Sequence, residues 1–122
     1  MTPQQSTTTA SQIANRAIQK AQRALKKGCL LKLRYDFYTR VVEVHAVGVS
    51  TAGNPCIRVY QVRGGSVEGE KQGWKMMLLD EVRDAKLVPE PSLAPRPGYK
   101  MGDKGMSQIT SELIVEPEVK QA

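Results

Sequence analysis

From residue 13 the apolar positions fall at helical spacing. Ile13, Ala17, Ile18, Ala21, Ala24 and Leu25 form one stripe, which predicts an amphipathic helix. Thr9 with Gln12 three residues on, or Ser11 one step later, suits the N-terminal cap, and Gly28 after Lys26 and Lys27 suits the stop. The period then switches to two. In 31–37, Leu31, Leu33, Tyr35 and Phe37 alternate with Lys32, Arg34 and Asp36, the pattern of a half-buried strand. Residues 40–50 form a second β-rich run, and the turn Ala-Gly-Asn-Pro at 52–55 leads into a third at 56–62. A loop rich in glycine and charge, 64–73, precedes a fourth strand at 74–79. Residues 80–82 read as a turn and 85–88 as a short fifth strand.

A mainly β fold with an N-terminal α-helix follows. Five short strands with tight connections suit a small, strongly bent β-barrel, the helix covering one opening or edge. Pro89, Pro91, Pro95 and Pro97 then predict an extended Pro-rich C-terminal arm that is barred from a sheet interior. Residues 104–115 close the pattern with a short helix or strand. The 122 residues make one domain, divided into a polar, disordered leader at 1–10, helix plus barrel at 11–90, and the arm at 91–122.

Composition narrows the class. The chain is 40% apolar and 25% charged, ordinary for a globular protein. No run approaches the ~18 apolar residues of a membrane span. The N-terminus lacks the charged and apolar regions of a signal peptide, so a cytoplasmic location is the default expectation. Cys29 and Cys56 are too few for a disulfide scaffold and sit in apolar contexts, as buried free thiols do.

Charge adds a local feature. Eighteen Lys and Arg residues oppose twelve acids, and the first acid is Asp36. Residues 1–28 carry five of the cations, leaving thirteen cations against twelve acids elsewhere. Arg16, Lys20, Arg23 and Lys27 recur at steps of four, three and four, so they share one helical stripe. Such a concentrated field favours a polyanion partner and contact with a nucleic-acid backbone. A solvated face that only aids solubility has the same pattern.

Catalysis has little to work with. His45 is the one histidine, and neither a nucleophile elbow nor a phosphate-loop motif is present. Gly98 to Gly105 carries Lys100 and Lys104 without the spacing of a phosphate loop. Cys29, Cys56 and His45 lack paired metal-ligand spacing, so no metal, cofactor or enzymatic activity is expected. Binding is better supported. Arg58 and Tyr60 share a strand face, Trp74 and Lys75 open the next strand, and Arg40 follows Tyr38. Flat rings stack on bases, and guanidinium forks pair with phosphate oxygens. Tyr35, Phe37 and Trp74 serve equally as core filling, and His45 as a structural or a ligand-contacting imidazole. Strand alternation sets Arg40 and His45 on opposite faces unless a bulge intervenes.

Residues 24–35, Ala-Leu-Lys-Lys-Gly-Cys-Leu-Leu-Lys-Leu-Arg-Tyr, followed by Arg-Val-Val-Glu-Val-His at 40–45, resemble the opening of the WYL-domain family. That opening is a short helix ending A-I-x-x-x-x-x-I-x-I-x-Y, then R-x-V-x-P. Lys-Met-Met-Leu-Leu-Asp-Glu-Val at 75–82 is similar to the family's R-x-F-R-L-D-R-I, with Asp80 matching and Lys75 standing for the first Arg. In place of the Trp-Tyr-Leu tripeptide stand Ile57, Arg58, Val59 and Tyr60. The likeness covers roughly 18–90, and Arg96 to Tyr99 and Asp103 to Met106 follow it as in a divergent branch.

The resemblance implies an Sm-like, SH3-type barrel that binds ligands, often nucleotides or single-stranded nucleic acid, in bacterial regulators and defence systems. It also implies a stand-alone module, because the 28 residues ahead of the barrel leave no room for the family's winged helix. The leading expectation is a binding or regulatory module for an anionic nucleotide or single strand. Arg40, His45, Arg58 and Lys75 would meet phosphate, Tyr60 or Trp74 would stack, and Arg16, Lys20, Arg23 and Lys27 would attract the backbone. The alternative is a protein-interaction subunit that modulates a larger effector, such as a bacterial defence complex, or serves as its phage- or plasmid-borne inhibitor. Homodimerisation is compatible with both, and no membrane partner is expected.

Overall fold

A computed structural model describes residues 9–67, 69 and 71–115. Helix α1 (Ala10–Lys27) starts at a reciprocal cap. The Thr9 hydroxyl accepts from the Gln12 N–H at 3.1 Å, and Gln12 Oε1 accepts from the Thr9 N–H at 2.9 Å. The helix stops at Gly28, whose φ of 69° lies in the left-handed region and whose N–H reaches the Ala24 carbonyl at 2.9 Å. Glycine adopts that backbone without steric cost. Thr9 and Ala10 therefore belong to the cap and helix rather than to a leader, and 1–8 lie outside the described residues.

Six strands follow: β1 (Cys29–Tyr35), β2 (Tyr38–Ser50), β3 (Pro55–Gly64), β4 (Gly73–Leu78), β5 (Arg83–Pro91) and β6 (Met106–Glu112). They form one antiparallel sheet in the order β4-β3-β2-β1-β5, with β6 also on β2. The long strand β2 organises it. One edge of β2 takes β3, while the other takes β1 along 38–42 and β6 along 46–50. The described residues thus hold the five expected strands and a sixth, β6, within the 104–115 segment expected to close as a short helix or strand. The sheet is not closed into a barrel. A side chain spans the gap instead: the Tyr35 hydroxyl accepts from the Leu78 N–H at 3.1 Å.

Two further expectations are corrected. Asp36 and Phe37 do not extend β1; they form its two-residue turn into β2, with φ of 47° and 70°, and Tyr35 pairs with Tyr38. Their alternation continues past the point where the ladder ends. The expected arm also dissolves over its described residues. Pro89 and Pro91 lie in β5, which pairs with β1 alone, an edge where a missing N–H is tolerated. Residues 92–105 then fold back over the sheet, and β6 joins it.

Alternation splits the interior into two clusters. Ala17, Ala21 and Ala24 seat α1 closely on Leu31, Val42, Val44, Ile57 and Val59. The opposite face of the sheet gathers Ala46, Cys56, Tyr99 and Met106, with Trp74, Met76 and Leu78 packed on them. Cys56 is buried and Cys29 half-buried, both as free thiols. Gly48 permits the crossing of β6, because a Cβ there would lie 2.2 Å from the Gln108 carbonyl oxygen. Among the described residues no helix is long and apolar enough to cross a membrane.

Candidate functional site

A bulge in β2 shapes the face that lies away from α1. Val44 pairs with Val59 and Ala46 with Arg58, so His45 is the extra residue. His45 and Ala46 consequently both face the second cluster. The imidazole is 0% exposed, edge-on to Trp74 at 4.6 Å between centroids and 5.0 Å from Tyr99. Its Nε2 accepts from the Arg96 N–H at 3.0 Å, so Nδ1 carries the proton and donates to the Glu43 carbonyl, also at 3.0 Å. Burial pushes the imidazolium pKa below its ordinary 6.5.

That shift has a sign in stability. The unfolded chain takes up a proton near pH 6.5, whereas the folded chain resists it to lower pH. Stability is unaffected by this group above that value and falls below it, by up to about 1.4 kcal/mol per pH unit. Thermal melts at roughly pH 7.5 and 5.5 should show a lower midpoint at the acid end, and His45→Gln should shrink the difference. Equal midpoints for the wild type would remove the argument.

Glu43, one strand position from the bulge pair, is 1% exposed. Its Oε1 accepts from Arg96 Nε at 2.6 Å, and its Oε2 accepts from Arg96 Nη2 at 3.3 Å and from the Leu93 N–H at 2.7 Å. The Arg96 guanidinium also stands 4.6 Å above the Tyr60 ring. The connection 92–105 is thereby pinned on the sheet. Further along, Tyr99 lies nearly parallel to Trp74, at 27° and 5.9 Å, and donates its hydroxyl proton to Glu112 at 2.8 Å. Burial and that carboxylate push the Tyr99 pKa up. Arg58 donates from Nε and Nη2 to Asp103 at 2.5 and 3.1 Å. This pairing holds the Asp103 carboxyl below its ordinary range and raises the Arg58 pKa.

Two clefts meet at Arg58 and Trp74. One, about 410 Å³, lies against 98–104 and includes Tyr99, Lys100, Asp103 and Lys104. The other, about 330 Å³, wraps the β4 edge and adds Tyr35, Asp36, Arg40 and Lys75. The Lys75 ammonium donates to the Ser66 hydroxyl at 3.1 Å. A guanidinium from β3, an indole and a lysine from β4, and two lysines from the 98–104 segment therefore line adjoining clefts, with Asp36 and Asp103 among them.

The structure brings Arg58, Trp74 and Lys75 together there, with Tyr60 behind them, edge-on to Trp74 at 5.5 Å. Arg40 and His45 are different. Arg40 is 2% exposed and donates to the Tyr35 carbonyl at 3.0 Å and to Gln61 Oε1 at 3.3 Å, with Tyr35 and Tyr38 rings beside it. Both side chains thus have partners inside the fold, and Arg40 also lines the cleft at the β4 edge. Arg16, Lys20, Arg23 and Lys27 are exposed on the outer side of α1, across the sheet from Trp74.

Sequence reasoning missed Glu43, Arg96, Tyr99 and Asp103 as members of this face. Glu43 had a signal, an acid inside the valine run 41–44, where burial predicts a partner. Lys100 and Lys104 stood out as a basic, glycine-bearing segment but had no visible link to the strands. Comparison of the chain with protein-family models, with curated proteins and with solved structures finds no match in any of the three.

Proposed function

We propose that this chain is a non-enzymatic binding module for an anionic nucleotide or single-stranded nucleic acid, seated where the two clefts meet. The observation that carries the reading is the pairing of Arg58 with Trp74 in the lining of both clefts. A base stacks on the indole, while phosphates meet Lys100 and Lys104 on one side and Lys75 on the other. The WYL-like motifs point to the same ligand class. On this reading the curled sheet is a half-open SH3-type barrel, its long strand β2 shared between two arms.

The test uses the chain's one tryptophan, Trp74. Titration with single-stranded RNA, single-stranded DNA or a mononucleotide should quench its fluorescence, with affinity falling steeply as salt rises. Lys100→Ala with Lys104→Ala, both exposed, should weaken binding by about tenfold. Absence of binding to every probe, or binding that leaves Trp74 emission and the double variant unaffected, would overturn the reading.

A further inference from the structure

Four clefts around the open side of the sheet share lining residues, each with the next. The first lies between α1 and the start of β5, about 430 Å³, with Arg16, Lys20 and Arg83 in its lining. It shares Arg83 with a second, about 340 Å³, at the β1–β2 turn. That one shares Tyr35 and Asp36 with the cleft at the β4 edge, which in turn shares Arg58 and Trp74 with the cleft against 98–104. Clefts that share residues one with the next thus lead from Arg16 and Lys20, with Asp84 beside them, round to the Trp74 surface.

Phe37 stands at the middle of this path. It is 92% exposed, the most exposed large apolar side chain among the described residues, and Tyr38 beside it is 42% exposed. Its φ of 70° is a conformation that bulky residues rarely adopt, and glycine is the usual choice at that point of a two-residue hairpin turn. The turn therefore holds a ring in water, on an unfavourable backbone, with no packing to compensate. Arg34 and Arg83 line the same cleft, and Arg34 sits 3.9 Å from the exposed Asp84. The acids Asp36 and Glu81 line it too, so the ring, more than the local net charge, distinguishes the site. Arg83 donates to the Asp80 and Val82 carbonyls at 2.7 and 3.1 Å. A flat apolar face in a cleft that also holds two arginines suits a nucleobase whose flanking phosphates pair with them.

We propose that Phe37 is a base-stacking platform on a path that carries one extended strand from the Trp74 clefts to the α1 face. The ligand is then a single strand several nucleotides long rather than a mononucleotide. This inference rests on the Arg58–Trp74 reading and deepens it.

The experiment compares single-stranded oligonucleotides of about 5 and about 20 nucleotides by fluorescence anisotropy. Wild type should bind the longer strand at least about tenfold more tightly. Phe37→Ala and Phe37→Gly should each weaken binding of the longer strand by about fivefold or more, and of the shorter by less than about twofold. Phe37→Trp should restore the longer strand's affinity. Phe37→Gly should also raise the melting temperature by a few degrees, since it relieves the turn, so lost affinity cannot be ascribed to unfolding. If the Phe37 variants bind the longer strand as wild type does, the ring serves another partner, such as a protein, and the inference falls while the Arg58–Trp74 reading stands. If both lengths bind equally to wild type, the inference falls in the same way. If neither length binds, the inference falls, and the Arg58–Trp74 reading falls with it unless a mononucleotide still quenches Trp74.

Discussion

Replacing Arg96 by Ala is expected to destabilise the fold by about 3–5 kcal/mol. The reason lies in what stays behind. Glu43 is 1% exposed on β2, and with Arg96 removed its carboxylate keeps only the Leu93 N–H. A buried charge stripped of its counter-charge costs far more than the pair contributes when intact. The loss should also free the connection 92–105, because Arg96 ties it to Glu43, to His45 and to the Tyr60 ring. Trp74 reports that release: its emission should shift to the red as Tyr99 lifts away. Arg96→Lys keeps the charge but not the fork, so it should fall between. Adding Glu43→Leu to Arg96→Ala should recover part of the loss, since the buried charge is then gone. Chemical denaturation of the three variants decides the matter, and a loss under about 1 kcal/mol for Arg96→Ala would mean that water reaches Glu43.

Why this pair was invisible in the sequence is instructive. Helix α1 was legible to within a residue or so because its signals are local: Thr9 and Gln12 within one turn, and Gly28 at the stop. Strands β1 to β5 were legible within a few residues, since each carries its own apolar run. What decides the face of the sheet is not local. The bulge at His45 adds one residue against β3 and turns two neighbours to the same side, and no composition rule places it. The partners of Glu43 and Arg58 are Arg96 and Asp103, 53 and 45 residues away. Prolines at 89–97 argued for an extended arm, yet edge pairing accommodates Pro89 and Pro91, and Glu43 anchors the rest. At the β1–β2 turn, Phe37 continued the alternation and so read as strand, although Asp36 and Phe37 both take positive φ. The aromatic and basic residues of the candidate site were thus visible one by one, and their grouping was not. Arg40 shows the converse: a guanidinium next to Tyr38 reads as exposed, yet it is buried and donates to Gln61 and the Tyr35 carbonyl while lining the cleft at the β4 edge.

Asp103→Asn should move affinity and stability in opposite directions. In the folded chain the Asp103 carboxylate accepts from Arg58 through two nitrogens, the geometry a phosphate would use. It sits in the lining of the Trp74 cleft, so an incoming anion must compete with it. Asparagine keeps the shape and an acceptor for the Gly105 N–H but removes the charge and loosens its hold on Arg58. Affinity for a short single strand should therefore rise by about tenfold, the effect of one released charge contact. Stability should fall by about 1–3 kcal/mol, because a largely buried ion pair is replaced by a weaker neutral contact. Arg58 lowers the folded-state pKa of Asp103 below 3.8, so the stabilising contribution is present above that pH and is lost as pH falls through the lowered value. The stability gap between wild type and variant should accordingly narrow in acid melts below about pH 4. A variant that loses affinity along with stability would assign Asp103 to positioning Arg58 for the ligand instead of competing with it.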